Sequence, residues 1–277
     1  MRVLVTNDDG FDAPGLAVLA RAFADAGHDV IVVAPLEQAS GASAGIGPVH
    51  LREHGIRAET VTPVGLDGIE VIAADALPAL IVITACLGGF GPLPDIVVSG
   101  INPGRNVGRA VLHSGTVGAA LTAGQFGVKA LATSIQAGAV PSSYEFADGS
   151  KMHFESVARL AVALASELEK GPERTVLNLN VPNRPLGEIR GIRRAHLANS
   201  GLNFLGSVQN RPPATQPDLV TQPTADSNTR SEDSDDALTE LGWAVVTPLV
   251  SVREDRRDEV AEFVAHALDS LSGLIGS

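Results

Sequence analysis

The chain has 277 residues, 44% of them hydrophobic, and a formal net charge of −12. This is enough apolar material for the core of one large domain spanning residues 1–277, while the surplus of negative charge repels phosphate backbones and excludes a nucleic acid polymer as partner. The lone cysteine, Cys86, excludes a disulfide framework and a thiolate metal cage and reads as a small buried hydrophobe.

No cationic leader with an apolar core precedes the first strand, so the expected compartment is the cytoplasm. Residues 3–6 are a β-branched apolar run, followed at 15–26 by a helix with Leu16, Leu19, Ala20 and Phe23 at helical spacing, closed by Gly27. A second strand covers 29–34. From 49 to 72, short alternating pieces separated by Gly55, Pro63 and Asp67-Gly68 read as hairpin strands on a sheet edge. The uncharged stretch 76–94 carries Pro78, Pro92, Pro94 and a Gly88-Gly89-Phe90-Gly91 break, so it is expected to be a buried helix and a loop, with no membrane association. Further strands are expected at 95–99, 130–135, 175–181 and 243–249, and helices at 111–124, 153–168 and 253–274. On the last helix Val260, Phe263, Val264, Leu268 and Leu271 form the apolar face. Strands alternating with helices predict an α/β fold, a mostly parallel sheet covered on both faces. Residues 198–236 are the exception: from 209 on, Pro, Thr, Gln, Ser and Asp dominate without an apolar period, which reads as a flexible loop or an extended arm.

Four loops carry the chemistry: Asn7-Asp8-Asp9-Gly10, Ser40-Gly41-Ala42-Ser43, Ser99 to Asn106 (Ser-Gly-Ile-Asn-Pro-Gly-Arg-Asn), and His113-Ser114-Gly115-Thr116. Each follows an apolar strand or opens a helix, and a parallel sheet delivers such loops to one edge. Asp8, Asp9, Ser40 and Asn102 offer an all-oxygen ligand set, which hard divalent ions such as Mg²⁺ or Mn²⁺ prefer. Ser114 and Thr116, flanking Gly115 at a helix start, offer hydroxyls and N–H groups of the kind that hold an anion. A cation beside an anion hole suits hydrolysis of a phosphate ester, with Asp9 as a proton-handling carboxylate. Singly, each loop also reads as a turn or a helix cap. Arg105 reads equally as solvated or as meeting a substrate phosphate, and His113 as packing or lining the substrate edge, since none of the seven histidines has metal-ligand spacing.

Together the loops resemble the SurE family, the survival-protein nucleotidases. The resemblance extends to Ala13-Pro14-Gly15, Val33-Ala34-Pro35, Asn106-Val107-Gly108, Asn178-Leu179-Asn180-Val181-Pro182 and Val246-Thr247-Pro248-Leu249. It implies a Rossmann-like three-layer sandwich with a C-terminal arm used to build a homodimer or homotetramer, and divalent-metal-dependent hydrolysis of nucleoside 5′-monophosphates, with 3′-monophosphates as further substrates. Metal ligands carry over to Asp8, Asp9, Ser40 and Asn102, and the phosphate pocket to Asn106, Ser114 and Thr116; Ser43, Arg105, His113 and Gly115 are the expected substrate contacts.

Several segments depart from the family pattern. A polar Gly-Thr-Pro-Ala-Asp-Cys-Val stretch is replaced by Asp75 to Val82 (Asp-Ala-Leu-Pro-Ala-Leu-Ile-Val), a Glu-Gly pair by Thr122-Ala123, and an aromatic residue by His113, while Ser234-Asp235 stands where a Thr-Asp pair does. These departures make a phosphatase for a specialised metabolite or sugar phosphate the first alternative. A nucleotide-sugar glycosyltransferase, read from residues 26–35, and a non-catalytic metal-binding module are alternatives of other classes.

Overall fold

The structure, a computed structural model, describes residues 1–49, 55–137, 152–199, 231–252 and 256–271. Nine strands form one sheet: β1 (Arg2–Thr6), β2 (Asp29–Pro35), β3 (Ala58–Val61), β4 (Glu70–Ala74), β5 (Ile96–Pro103), β6 (Lys129–Ile135), β7 (Val176–Val181), β8 (Ile192–Arg194) and β9 (Ala244–Leu249). Their spatial order is β3-β4-β2-β1-β5-β6-β7-β9-β8. The block from β4 to β7 is parallel, β3 and β9 pair antiparallel to β4 and β7, and β8 runs parallel to β9. This is the α/β sandwich expected. From β1 the chain proceeds outward through β2 to β4, then returns to place β5 on the other flank of β1. The strand order reverses there, and such a switch point opens the crevice in which parallel sheets bind ligands.

Alternate strand residues feed two cores. Val3, Val5, Val32, Val98 and Leu131 pack under α1 (Pro14–Asp25) and α4 (Phe154–Glu169). On the opposite face, Leu4, Ile31, Val33, Val97 and Ala130 pack under α2 (Pro78–Cys86) and α3 (Gly115–Gln125). The period of two assigns neighbouring side chains to opposite faces, so a central parallel strand must be apolar throughout. The uncharged stretch is α2, with Pro78 to Val82 buried, and no helix among the described residues is long and apolar enough to cross a membrane.

Some elements differ from expectation. The hairpin is β3 with β4, but only β3 lies on the edge, because β4 also pairs with β2 and buries Val71 and Ala73. The expected helix over 111–124 is two elements, a 3₁₀ turn at Gly108–His113 and then α3. Ser114 divides them, since its hydroxyl oxygen accepts the Val117 N–H (3.1 Å) and starts a new helix. Most of the 198–236 segment lies outside the described residues, but its last residues do not behave as an arm: Ser234 caps α5 (Asp235–Glu240), and Asp235 and Asp236 are buried. The terminal helix is α6 (Asp258–Leu271); Phe263 and Val264 on it are exposed, and 253–255 and 272–274 lie outside the described residues.

The core reaches the crevice at Gly15. A Cβ there would stand 2.5 Å from the carbonyl oxygen of Ile101, so glycine lets the start of α1 close on the end of β5. Gly15→Ala is expected to cost about 1–3 kcal/mol by overpacking, roughly 3–10 °C in Tm for a chain of this size. Gly187→Ala, which meets nothing within 4 Å, is the neutral control in the same calorimetric scan.

Candidate active site

Asp8 and Asp9 follow β1 at the switch point. Their turn is closed locally: the Asn7 side-chain amide donates to Gly10 O (2.9 Å), its oxygen accepts Gly10 N–H (3.3 Å), and Gly10 holds φ at 111°. Asp8 is 4% exposed. Thr116 Oγ1 donates to Asp8 Oδ1 at 2.6 Å, and the backbone N–H groups of Gly115 and Thr116 also face that carboxylate. The anion at the N-terminus of α3 is therefore Asp8 itself. A Cβ on Gly115 would meet the Asp8 side chain at 2.7 to 2.9 Å, so the contact requires glycine. Thr116 and Gly115, expected to contact phosphate, thus hold a carboxylate.

Burial pushes the Asp8 carboxyl above its ordinary value despite those bonds. Asp9 is pushed up to about 7 by burial and by the charge of Asp8. Asp9 Oδ2 is buried, with no hydrogen-bond partner among the described residues. Two adjacent carboxylates, Asp8 buried and Asp9 half-buried with an enclosed, orphaned oxygen, fit a cation. Among the described residues no cluster of three or more His, Cys, Asp or Glu surrounds them, so the remaining donors would be neutral oxygens, as hard divalent ions accept. Asn102 turns its amide nitrogen to Gly104 O (2.6 Å), which presents its amide oxygen as such a donor. Ser40 is exposed, with its hydroxyl beside Gln38 Nε2 (3.0 Å), and its loop is tied to the site where Ala39 N–H donates to Asp8 O (2.7 Å).

Ser43 holds this same loop against α3. Its hydroxyl donates to Leu112 O (2.6 Å), and its carbonyl lies where a Cβ on Gly118 would be, 2.2 Å away. Its side chain is thus spent on the scaffold. His113 ends the 3₁₀ turn, exposed.

Asn106 is buried on the other flank. Its N–H donates to Asn180 Oδ1 (2.9 Å), its carbonyl accepts Asn178 Nδ2 (2.8 Å) and Asn180 Nδ2 (2.9 Å), and its own Nδ2 donates to Ser134 Oγ (2.9 Å). Arg105 does not project alone into solvent: it pairs with Asp236 (2.9 Å) and Glu240 (3.5 Å). Ser134, Asn178, Asn180 and Asp235 join the site without having stood out as functional residues in the sequence. Two amides two residues apart in an otherwise apolar strand put both on one face, which is a legible signal for Asn178 and Asn180; Asp235 carried none beyond the paired Ser234-Asp235.

A family model described as Survival protein SurE matches residues 3–203. The chain belongs to the SurE family. It is 40% identical over 202 residues to the 5′-nucleotidase SurE of Xanthomonas campestris pv. campestris, covering 72% of this chain and 70% of the relative. Against the 5′-nucleotidase SurE of Stenotrophomonas maltophilia the identity is 38% over 204 residues, with the same coverage. The crystal structure of the SurE protein from Aquifex aeolicus superposes with a TM-score of 0.71 at 24% identity, over 97% of this chain and 100% of that one, and shares the fold of this SurE-family chain.

The orphaned oxygen generates a prediction that needs no turnover. Asp9→Asn removes one of two like charges, so it is expected to raise the Tm of protein stripped of divalent ions. Saturating Mn²⁺ should raise wild-type Tm by about 5–10 °C, the linkage expected near a hundredfold excess over Kd, and should leave Asp9→Asn unmoved. An equal Mn²⁺ shift in both proteins would remove Asp9 from the ligand set.

Proposed function

We propose that this SurE-family chain is a divalent-metal-dependent phosphomonoesterase that hydrolyses nucleoside 5′-monophosphates to nucleoside and phosphate. Family membership supports phosphomonoester chemistry on nucleotide phosphates. The observation that carries the metal requirement is the adjacent pair of buried Asp8 and half-buried Asp9, with Asp9 Oδ2 enclosed and unpartnered among the described residues. Asp8, Asp9, Ser40 and Asn102 would hold Mg²⁺ or Mn²⁺, which when bound supplies a Lewis acid for a phosphoryl oxygen and makes water acidic enough to attack near neutral pH.

The residues of the chain do the rest. Thr116 and the first N–H groups of α3 hold Asp8 in one orientation, so no reorganisation is needed when the substrate's charge shifts. Asn106 and the hydroxyl hydrogen of Ser114 bind phosphoryl oxygens; the Ser114 oxygen is committed to Val117 N–H, leaving its hydrogen to donate outward. Asp9 takes a proton from the attacking water. The Mg²⁺- or Mn²⁺-loaded homodimer or homotetramer, in the cytoplasm, is the proposed working form.

The rewritten segment Asp75 to Val82 bears on the substrate. Leu80, Ile81 and Val82 are core residues of α2, and Asp75 pairs with Arg57 (3.3 Å). The change from a polar sequence is thus absorbed by packing, and nucleoside monophosphates are preferred over sugar phosphates as the proposed substrates.

Asp8→Ala is expected to lower kcat with AMP at least about a thousandfold, as for loss of a group that anchors transition-state charge, while circular dichroism stays native. A panel of nucleoside monophosphates, sugar phosphates and polyphosphate should show its highest kcat/KM with a nucleoside monophosphate. Full activity of Asp8→Ala would end the metal-site reading; a sugar phosphate at the head of the panel would end the nucleotidase reading alone.

A further inference from the structure

Asp235 is fully buried, far in sequence from the crevice, and its carboxylate is used entirely on backbone. Oδ2 accepts the Gly108 N–H at 2.9 Å, and Oδ1 accepts those of Ala198 and Asp236, each at 2.9 Å. Gly108 lies two residues beyond Asn106. On the other side of Asn106, Arg105 pairs with Asp236 Oδ1 (2.9 Å) and donates to Asp236 O (3.3 Å). The loop that presents Asn106 is therefore fastened at both ends to one dipeptide, while its middle is fastened to β7 through Asn178 and Asn180.

A buried carboxylate is costly unless it is fully hydrogen-bonded. Capping α5 does not require one, because Ser234 already caps that helix through Ala237 N–H (3.3 Å). What the carboxylate adds is a second oxygen, and that oxygen goes to the Asn106 loop. We propose that Asp235 is a positioning residue for the reaction: it acts through Asn106, holding that side chain where it meets the phosphoryl group. This rests on the assignment of Asn106 to the phosphate. Arg105 belongs to the same fastening, so it acts on the loop and does not bind substrate.

The isosteric variant Asp235→Asn separates the two oxygens. Its amide oxygen takes the two N–H groups of Ala198 and Asp236, because the reverse orientation sets two donors against the amide nitrogen; the nitrogen then faces Gly108 N–H, and only the tie to the Asn106 loop is lost. Steady-state kinetics with AMP and Mn²⁺ should show kcat lower by about 10- to 100-fold, the scale of a small misplacement of a group at the reacting centre, with KM within about threefold of wild type. The deciding measurement is the double-mutant cycle with Asn106→Ala. If Asp235 works through Asn106, Asp235→Asn changes nothing further in the Asn106→Ala background; a structural role elsewhere gives additive losses. Should Asp235→Asn melt below the assay temperature, Arg105→Ala runs the same cycle from the other end of the loop, with the same non-additivity expected. An additive cycle, or a rise in KM with kcat unchanged, overturns the positioning role while turnover by the wild type leaves the phosphatase reading standing. A wild type that hydrolyses neither AMP nor p-nitrophenyl phosphate overturns both.

Discussion

The contact on which this molecule is built is a carboxylate at a helix N-terminus. Asp8 comes from the turn after β1 and the N–H groups and hydroxyl that receive it come from α3, more than a hundred residues later. Unfilled N–H groups at a helix start carry partial positive charge, so a carboxylate is a stabilising partner there, and a stronger one when buried. The contact also fixes geometry. It requires Gly115, whose missing side chain leaves room for Asp8, and Gly118, one helical turn on, whose missing side chain leaves room for the Ser43 loop. A single helix end thereby sets the distance between three of the loops. Among the described residues Asp9 has no comparable partner, and that asymmetry between two adjacent carboxylates makes the pair a place for a cation rather than a closed structural motif.

The sheet beneath these loops is unusually polar near its carboxyl edge. Thr6, Ser99, Ala132, Asn178 and Thr247 are successive register partners across β1, β5, β6, β7 and β9, and all but Ala132 are buried polar residues. The hydroxyls of Thr6, Ser99 and Thr247 and the amide oxygen of Asn178 have no hydrogen-bond partner among the described residues. Each such group costs about 1–3 kcal/mol relative to a paired one, so apolar residues in this row would give a more stable protein. One step towards the edge, Asn102, Ser134 and Asn180 form the next row, and there the polar groups serve the loops directly. Stability is given up where the sheet meets the crevice, as is usual where function and folding compete for the same positions.

The sequence was most legible where one element decides its own structure. Leu16, Leu19 and Phe23 on α1, and the apolar runs of β1, β2 and β6, read correctly because helical and strand periods are local properties. The loops converged because parallel strands all deliver them to one edge. What the sequence does not show is partner choice. Thr116 and Gly115 look like an anion site in any strand-to-helix context; that the anion is Asp8 depends on which strand lies beside α3. Ser114-Gly115-Thr116 read as a helix start, but the break it makes in the 111–124 pattern did not show, because one side-chain hydrogen bond leaves the periodicity of its neighbours intact. Residues 234–236 show the opposite case. Ser234, Asp235 and Asp236 end a polar run and read as part of an arm, yet they are buried, because polar partners satisfy them, the Ala198 and Gly108 N–H groups for Asp235, Ala237 N–H for Ser234 and Arg105 for Asp236, and not any apolar pattern of their own.

The two halves of the crevice are therefore held by different means. The carboxylate half is fixed by Asp8, Gly115 and Thr116, all within the 3–203 span that matches the family model. The Asn106 half is fixed by β7 and by Asp235 and Asp236, and the latter pair lies beyond that span. A loop pinned by a distant segment costs more chain entropy to order than one pinned locally, although the cost grows only with the logarithm of the separation. The return is rigidity at a position between two glycines, Gly104 with φ at 156° and Gly108 with φ at 54°, where the backbone by itself imposes little. Burying a charged dipeptide under that loop is the device by which sequence far from the crevice becomes part of it, and it explains why residues that resemble a disordered tail in composition are among the most enclosed in the protein.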